Sequence, residues 1–283
     1  MGLPPAKADV ALTVETGPAP RADHILFGWG GRYGLTLGSC GSDWLMASAL
    51  DGAFLIEPGR HRVRCFVERP NEPAWLDVLV RRVLPRVAML YGATAVHAAT
   101  AAIDGGALML LGGSGAGKST LSASLGANGW DILSDDISII WEPGAPVVTP
   151  STTGVCVWED SRVGLELPDP LCVPMPGYEG KVRFAPGGEQ DGGAVPLKAL
   201  IFLARLPNIE MPELRPLPAG EGLIRASRQR IRFNPADANR ETVDTFGRLG
   251  EIARVTPCYG LRYPADYGAL PQVAELLRGI LRA

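Results

Sequence analysis

The sequence predicts an α/β fold, a P-loop domain preceded by a small β-rich module, and three observations carry that expectation. Residues Gly112-Gly113-Ser114-Gly115-Ala116-Gly117-Lys118-Ser119 match G-x-x-x-x-G-K-[ST] in full, between the apolar run 107–111 and a helix-like stretch from Thr120. An acidic pair, Asp135-Asp136, ends the next strand-like run, 132–134. Between residues 25 and 68, short β-like runs alternate with breaks that contain Gly or Pro.

Taken in order, residues 1–22 are rich in Pro and Ala and read as a loose lead-in, 23–91 as the β-rich module with a connecting helix, and 92–283 as the P-loop domain. In the module, the runs 33–37, 53–56 and 62–67 are expected strands of an antiparallel sheet. Over 75–90 the apolar residues Leu76, Val78, Leu79, Val83, Leu84 and Val87 recur at spacings of three and four, which predicts a helix kinked by Pro85. Two strands follow around Asp104-Gly105. A two-residue turn there places His97 opposite Gly112, whereas a turn centred on Gly105-Gly106 places it opposite Ser114. The P-loop helix ends near residue 126. Further strands are expected at 154–158, 181–184 and 197–204, a Pro-rich connection at 205–218, and helices near 221–229, 240–254 and 271–281.

Bulk properties narrow the class. The chain has 283 residues, 46% hydrophobic and 20% charged, as expected of a globular protein able to bury a sizeable core. Its net charge of −3, with no basic tract, argues against a nucleic-acid partner. Five dispersed cysteines without C-x-x-C pairing read as reduced thiols rather than a disulfide frame or zinc site. No window approaches 18 uninterrupted apolar residues, and no basic segment precedes an apolar core at the N-terminus, so the expectation is a soluble cytoplasmic protein with no membrane partner.

The P-loop residues have a defined chemistry. The glycines let backbone N–H groups curl around phosphate oxygens, Lys118 reaches the terminal phosphates, and the Ser119 hydroxyl ligates Mg²⁺ beside the positive end of the helix that Thr120 continues. The expected ligand is a nucleoside triphosphate. No N-K-x-D or L-S-G-G-Q-like segment points to a GTPase or an ABC-type ATPase. The acidic pair stands sixteen residues beyond Ser119, and a right-handed β-α-β connection opens both strand ends on one edge of the sheet. One aspartate then assists Mg²⁺ and the other accepts the proton of an attacking hydroxyl. His97 falls beside the cradle, while His24 and His61 read as surface residues. Two basic groups are candidates to clamp a phosphate or a substrate carboxylate: Lys181 with Arg183, and Arg228, Arg230 and Arg232 near a helix end.

Together, His97 fifteen residues before Gly112, the P-loop, and G-W-D-I-L-S-D-D over 129–136 resemble the catalytic half of the HPr kinase/phosphorylase family across residues 92–140. The resemblance implies a P-loop kinase core of that family's C-terminal-domain type and a serine kinase using ATP and Mg²⁺. It implies direct roles for Lys118 and Ser119, His97 in the reaction, Asp136 as proton acceptor, and Asp135 with Ser119 on the metal side. The family's L-E-I-R-G-L-G signature has no counterpart; residues 154–164 read G-V-C-V-W-E-D-S-R-V-G instead. In layout the chain is similar to the shorter HPr-kinase-like proteins associated with lasso-peptide biosynthesis, on V-H-A-A-T-A-A-I and G-V-C-V-W-E-D-S. That similarity implies the C-terminal serine of a precursor peptide as acceptor. A small-molecule kinase, a phosphocarrier-protein kinase and a nucleotide-gated regulator stand as alternatives, and a homo-oligomer is left open.

Overall fold

The computed structural model describes residues 9–282 apart from 31–33, 49–51, 73, 143, 153, 176–177, 187–192 and 238–239; the first residue of the 33–37 run and the first eight of the lead-in lie outside them. The chain divides into two compact units, one running to Gly92 and including Arg232–Thr242, the other made of Ala93–Ile231 and Val243–Ala283. A continuous domain over 92–283, as the sequence suggests, omits that return of the chain.

The first unit is a six-stranded sheet of β1 (Ala11–Glu15), β2 (His24–Trp29), β3 (Leu35–Cys40), β4 (Asp43–Ser48), β5 (Ala53–Glu57) and β6 (Arg62–Phe66), in the order β1-β6-β5-β4-β3-β2. The last five form an antiparallel meander. Residues 11–15 are a strand rather than part of a loose lead-in, and β1 runs parallel to β6, so the sheet is mixed. The only local mark of β1 is the short alternation Leu12-Thr13-Val14-Glu15, and four of its five residues are exposed. It is held by a partner far along the chain, with Arg64 clamping Glu15 through two hydrogen bonds of 2.6 and 2.7 Å. The expected helix at 75–90 is three pieces, α1 (Ala74–Val78), a π-turn (Leu79–Val83) and α2 (Leu84–Leu90). Pro85 has no N–H to give and breaks the regular ladder; the Leu84 N–H reaches five residues back to the Leu79 carbonyl. The inner sheet face, with Leu37, Met46, Phe54 and Val63 inaccessible to solvent, packs on Val78, Leu79, Val83 and Val87.

The second unit opens with β7 (Thr94–Val96), β8 (Ala98–Ile103) and β9 (Gly106–Leu111). Asp104 (φ 53°) and Gly105 (φ 75°) supply the two left-handed residues of a type I′ turn, and the ladder runs from Ile103↔Gly106 to Ala98↔Leu111. After α3 (Lys118–Ala127), β10 (Asp131–Ser134) pairs antiparallel with β8. It is therefore parallel to β9, with β8 between them, and the two strands end on the same edge. Next come β11 (Ser138–Trp141), β12 (Val147–Val148), β13 (Val155–Trp158), α4 (Glu159–Gly164), β14 (Cys172–Pro174), β15 (Lys181–Phe184) and β16 (Val195–Leu206). The chain ends with β17 (Glu213–Leu217), α5 (Ala219–Ser227), α6 (Arg240–Val255), β18 (Cys258–Pro264) and α7 (Leu270–Arg282).

β9, β16 and β18 are mutually parallel neighbours, and β17 closes that edge. The Pro-rich stretch 205–218 is thus partly a strand. An edge position tolerates Pro216, whose missing N–H costs no ladder bond on the outer side. The β8, β9 and β16 residues are buried on both faces, which explains their unbroken apolar runs. Ala99, Leu108, Leu110 and Ile201 meet α3 and α7, while Ala98, Met109, Leu111 and Phe202 meet α5 and α6. β13, β15 and β14 form a separate three-stranded sheet.

Candidate active site

β9 emerges from the core directly into the loop, and three of its four glycines have a spatial reason. A Cβ on Gly112 would come 2.8 Å from that of Ala116, Gly115 and Gly117 sit at φ 78° and 87°, and a Cβ on Gly117 would collide with the Tyr263 phenol oxygen. Tyr263, on β18, donates its hydroxyl proton to the Ala116 carbonyl at 2.8 Å. Burial pushes that phenol up to about 12, so it stays a neutral donor. Gly113, Ser114 and Gly115 remain exposed above the helix N-terminus. Lys118 folds back under the loop, its Nζ donating to the Gly112 and Gly113 carbonyls at 2.8 and 3.3 Å. Desolvation lowers its pKa, against the opposing pull of Asp136 and Asp135.

The acidic pair splits into two environments. Asp135 is 5% exposed; its Oδ1 accepts from the Ser119 hydroxyl at 3.1 Å and its Oδ2 from the Cys156 backbone N–H at 2.8 Å. Asp136 adopts φ 82° and stays partly open, its side chain 24% exposed. His97 Nδ1 lies 2.8 Å from the Asp136 carbonyl oxygen and 3.1 Å from its Oδ1. Both partners are acceptors at neutral pH, so Nδ1 is the nitrogen that carries the hydrogen. The His97 backbone is tied in turn, its N–H donating to the Gln229 carbonyl at 2.6 Å.

Beneath the acidic turn runs a buried hydroxyl chain, which sequence reasoning missed although the S-D-D-I-S pattern holds two of its members. Ser138 Oγ lies 2.9 Å from Thr100 Oγ1 and 2.5 Å from Ser134 Oγ, and donates to the Ala98 carbonyl at 3.1 Å. The chain ties the turn to β8. Segment 154–164 also borders the P-loop helix, with Ser161 Oγ 3.2 Å from Thr120 Oγ1.

The five candidate substrate cations fall at different places along the chain, Arg228 at the C-terminal end of α5. Lys181 lies on β15 with its ammonium 4.6 Å from the Trp158 ring centre and 5.2 Å from that of Tyr178. Arg183 stands in register with Cys156, whose N–H holds Asp135. Arg230 bridges Val96, next to His97, and donates to the Ser227 carbonyl at 2.7 Å. Arg232 belongs to the other compact unit. Arg205, at the end of β16, went unnoticed. Its Cδ lies 3.7 Å from where a Cβ on Gly117 would stand, and the signal for it was only that parallel strands deliver their C-terminal ends to one edge.

Among the described residues no cluster of three or more His, Cys, Asp or Glu is arranged to hold a metal, and no helix is long and apolar enough to cross a membrane. All five cysteines are free. The Ser119 and Asp135 oxygens suit Mg²⁺, which uses one or two protein oxygens alongside phosphates and water rather than an all-protein cage.

No protein-family model matches the chain, and no curated protein does. A solved structure that matches is the Hpr(Ser) kinase/phosphatase from Coxiella burnetii, 14% identical, covering 65% of this chain and 94% of that one with a TM-score of 0.35. A likeness that weak decides nothing about chemistry, which has to be read from the side chains.

Proposed function

We propose that the chain is an ATP- and Mg²⁺-dependent serine kinase that phosphorylates a peptide or small protein, with the C-terminal serine of a lasso-type precursor peptide as the acceptor. The observation that carries this reading is the division of labour in the acidic pair: Asp135 is locked to Ser119, and Asp136 is held outward against His97.

Bound Mg²⁺ would neutralise charge on the terminal phosphates, with Ser119 and Asp135 as its protein oxygens. The loop N–H groups and Lys118 hold the phosphate chain and meet the charge that develops on the transferring group. Asp136 takes the proton from the acceptor hydroxyl as the serine oxygen bonds to the γ-phosphorus and the bond to the ADP oxygen breaks. The His97 N–H fixes the orientation of the Asp136 carboxylate before the acceptor arrives. Lys181 and Arg183, on the strand beside Cys156, are the groups assigned to a substrate's terminal carboxylate.

The direct test incubates the purified chain with ATP, Mg²⁺ and peptides ending in serine, as free acid and as C-terminal amide. Peptide-dependent ADP release, with phosphate localised to the terminal serine by mass spectrometry and weaker use of the amide, is the expected result. Equal use of both forms removes the carboxylate assignment. Phosphorylation of a small metabolite with no peptide accepted replaces the whole reading with a small-molecule kinase.

A further inference from the structure

The P-loop has two flanks in the sheet, and only one has been given a task. On one side, β8 and β10 carry His97, Asp135 and Asp136 towards the terminal phosphate. On the other, β16 and β18 end beside Gly117. If the reacting phosphate lies at the acidic flank, the remainder of a nucleotide has to leave across the opposite one.

A small half-open cleft, its enclosed part about 80 Å³, lies there between the P-loop and the corner joining β18 to α7. Gly117 and Thr120 form its inner end, and Arg205, Tyr263, Asp266 and Tyr267 its walls. Phe202 pairs with Leu111, so Arg205, three residues further on, stands level with the loop. Arg162, Arg225 and Arg262 of the same unit each pair with a carboxylate. Arg205 makes no hydrogen bond or ion pair among the described residues, and its charge is felt by Tyr263. Asp266 uses Oδ1 to accept from the Gly268 N–H at 3.1 Å, which leaves Oδ2 for a ligand. The Tyr267 ring is packed where a Cβ on Gly164 would stand, so this wall is fixed from behind.

We infer that this cleft receives the nucleoside end of the bound nucleotide, the Arg205 guanidinium lying against the base and the Asp266 carboxylate accepting from a ribose hydroxyl. A planar, weakly hydrated cation suits an aromatic face, and a carboxylate is a common partner of ribose hydroxyls. The inference rests on the nucleotide-binding reading of the P-loop and adds to it two residues with separate ligand contacts.

Two probes separate the inference from that reading: ATP, and inorganic tripolyphosphate, which has the phosphates but neither sugar nor base. Calorimetric titrations of the full chain in Mg²⁺ should show Arg205→Ala raising the Kd for ATP roughly 3- to 30-fold with tripolyphosphate unchanged. Asp266→Asn, which keeps the capping oxygen, should reduce the preference for ATP over 2′,3′-dideoxy-ATP. Equal weakening of both probes by Arg205→Ala makes Arg205 a phosphate contact and overturns the nucleoside assignment, and an unchanged ATP affinity overturns it while the P-loop reading stands. If the wild-type chain binds neither probe, both readings fall.

Discussion

The two compact units each bury a carboxylate almost completely, and they hold it in opposite ways. Glu57, 2% exposed, accepts from Arg60 at 3.0 Å and from Arg62 at 2.7 and 3.1 Å, and the Arg62 guanidinium keeps its pKa below the usual carboxylate range. Asp135, 5% exposed, accepts from a hydroxyl and a backbone N–H, with the Lys118 ammonium close enough to feel its charge. Guanidinium hydrogen bonds cancel a carboxylate's charge where it stands, whereas the hydroxyl and N–H aim Asp135 and its nearby cation belongs to the P-loop. Burial alone therefore does not distinguish the two carboxylates; the donors that accompany them do.

The contrast can be broken most severely at the residue beside Asp135. Asp136→Asn keeps shape and tolerates the left-handed backbone, yet cannot take a proton; kcat should fall about 10²- to 10⁴-fold with nucleotide affinity retained. Should Asp135→Asn prove the more damaging change to turnover, with nucleotide and metal binding intact, the two roles are reversed. Lys118→Ala should cost about 10²- to 10³-fold in phosphoryl transfer while the chain still folds, as checked by circular dichroism. Near-wild-type turnover would remove the P-loop from the mechanism. His97→Ala, which only loosens Asp136, should cost roughly 10- to 100-fold, and a large fall in melting temperature with activity per folded molecule preserved would make the histidine structural instead.

The smallest effect on activity belongs to the scaffold carboxylate. Because the folded-state pKa of Glu57 is depressed, its stabilisation is present above the unfolded value of about 4.3 and is lost as the pH falls through the folded value. Glu57→Gln should therefore flatten the acid arm of the stability curve without changing kcat. Thermal melts of both proteins at pH 7 and pH 3 check this, and parallel acid losses would contradict it.

Contiguous patterns were readable in advance. The P-loop, its helix, the acidic pair and the hairpin register all rest on residues that are neighbours in the chain or are counted from a single turn. β1 was missed although Leu12-Thr13-Val14-Glu15 alternates, because the stretch is short, mostly exposed, set among Pro and Ala, and its partner β6 lies some fifty residues further along the chain. β17 was hidden by Pro216, since composition cannot distinguish an edge strand from a connection. The same limit applied to the site. Ser119 and Asp135 were reachable by motif spacing, whereas the Cys156 N–H reaches Asp135 and Arg205 reaches the P-loop through tertiary arrangement alone, which no local signal in 154–164 or 205–218 reveals.

The type I′ turn at Asp104-Gly105 sits at the far end of the hairpin from His97, yet it determines which residue faces the loop. Side chains along a strand alternate between faces, so one residue added to that turn would send the β8 side chains to the wrong layers and carry His97 off Gly112. Only residues that tolerate the left-handed backbone can keep the turn type, and insertions or deletions change the count. Over evolutionary time this loop should be held in length and limited to Asn, Asp and Gly, with the candidate site keeping the tally from the opposite end of the hairpin.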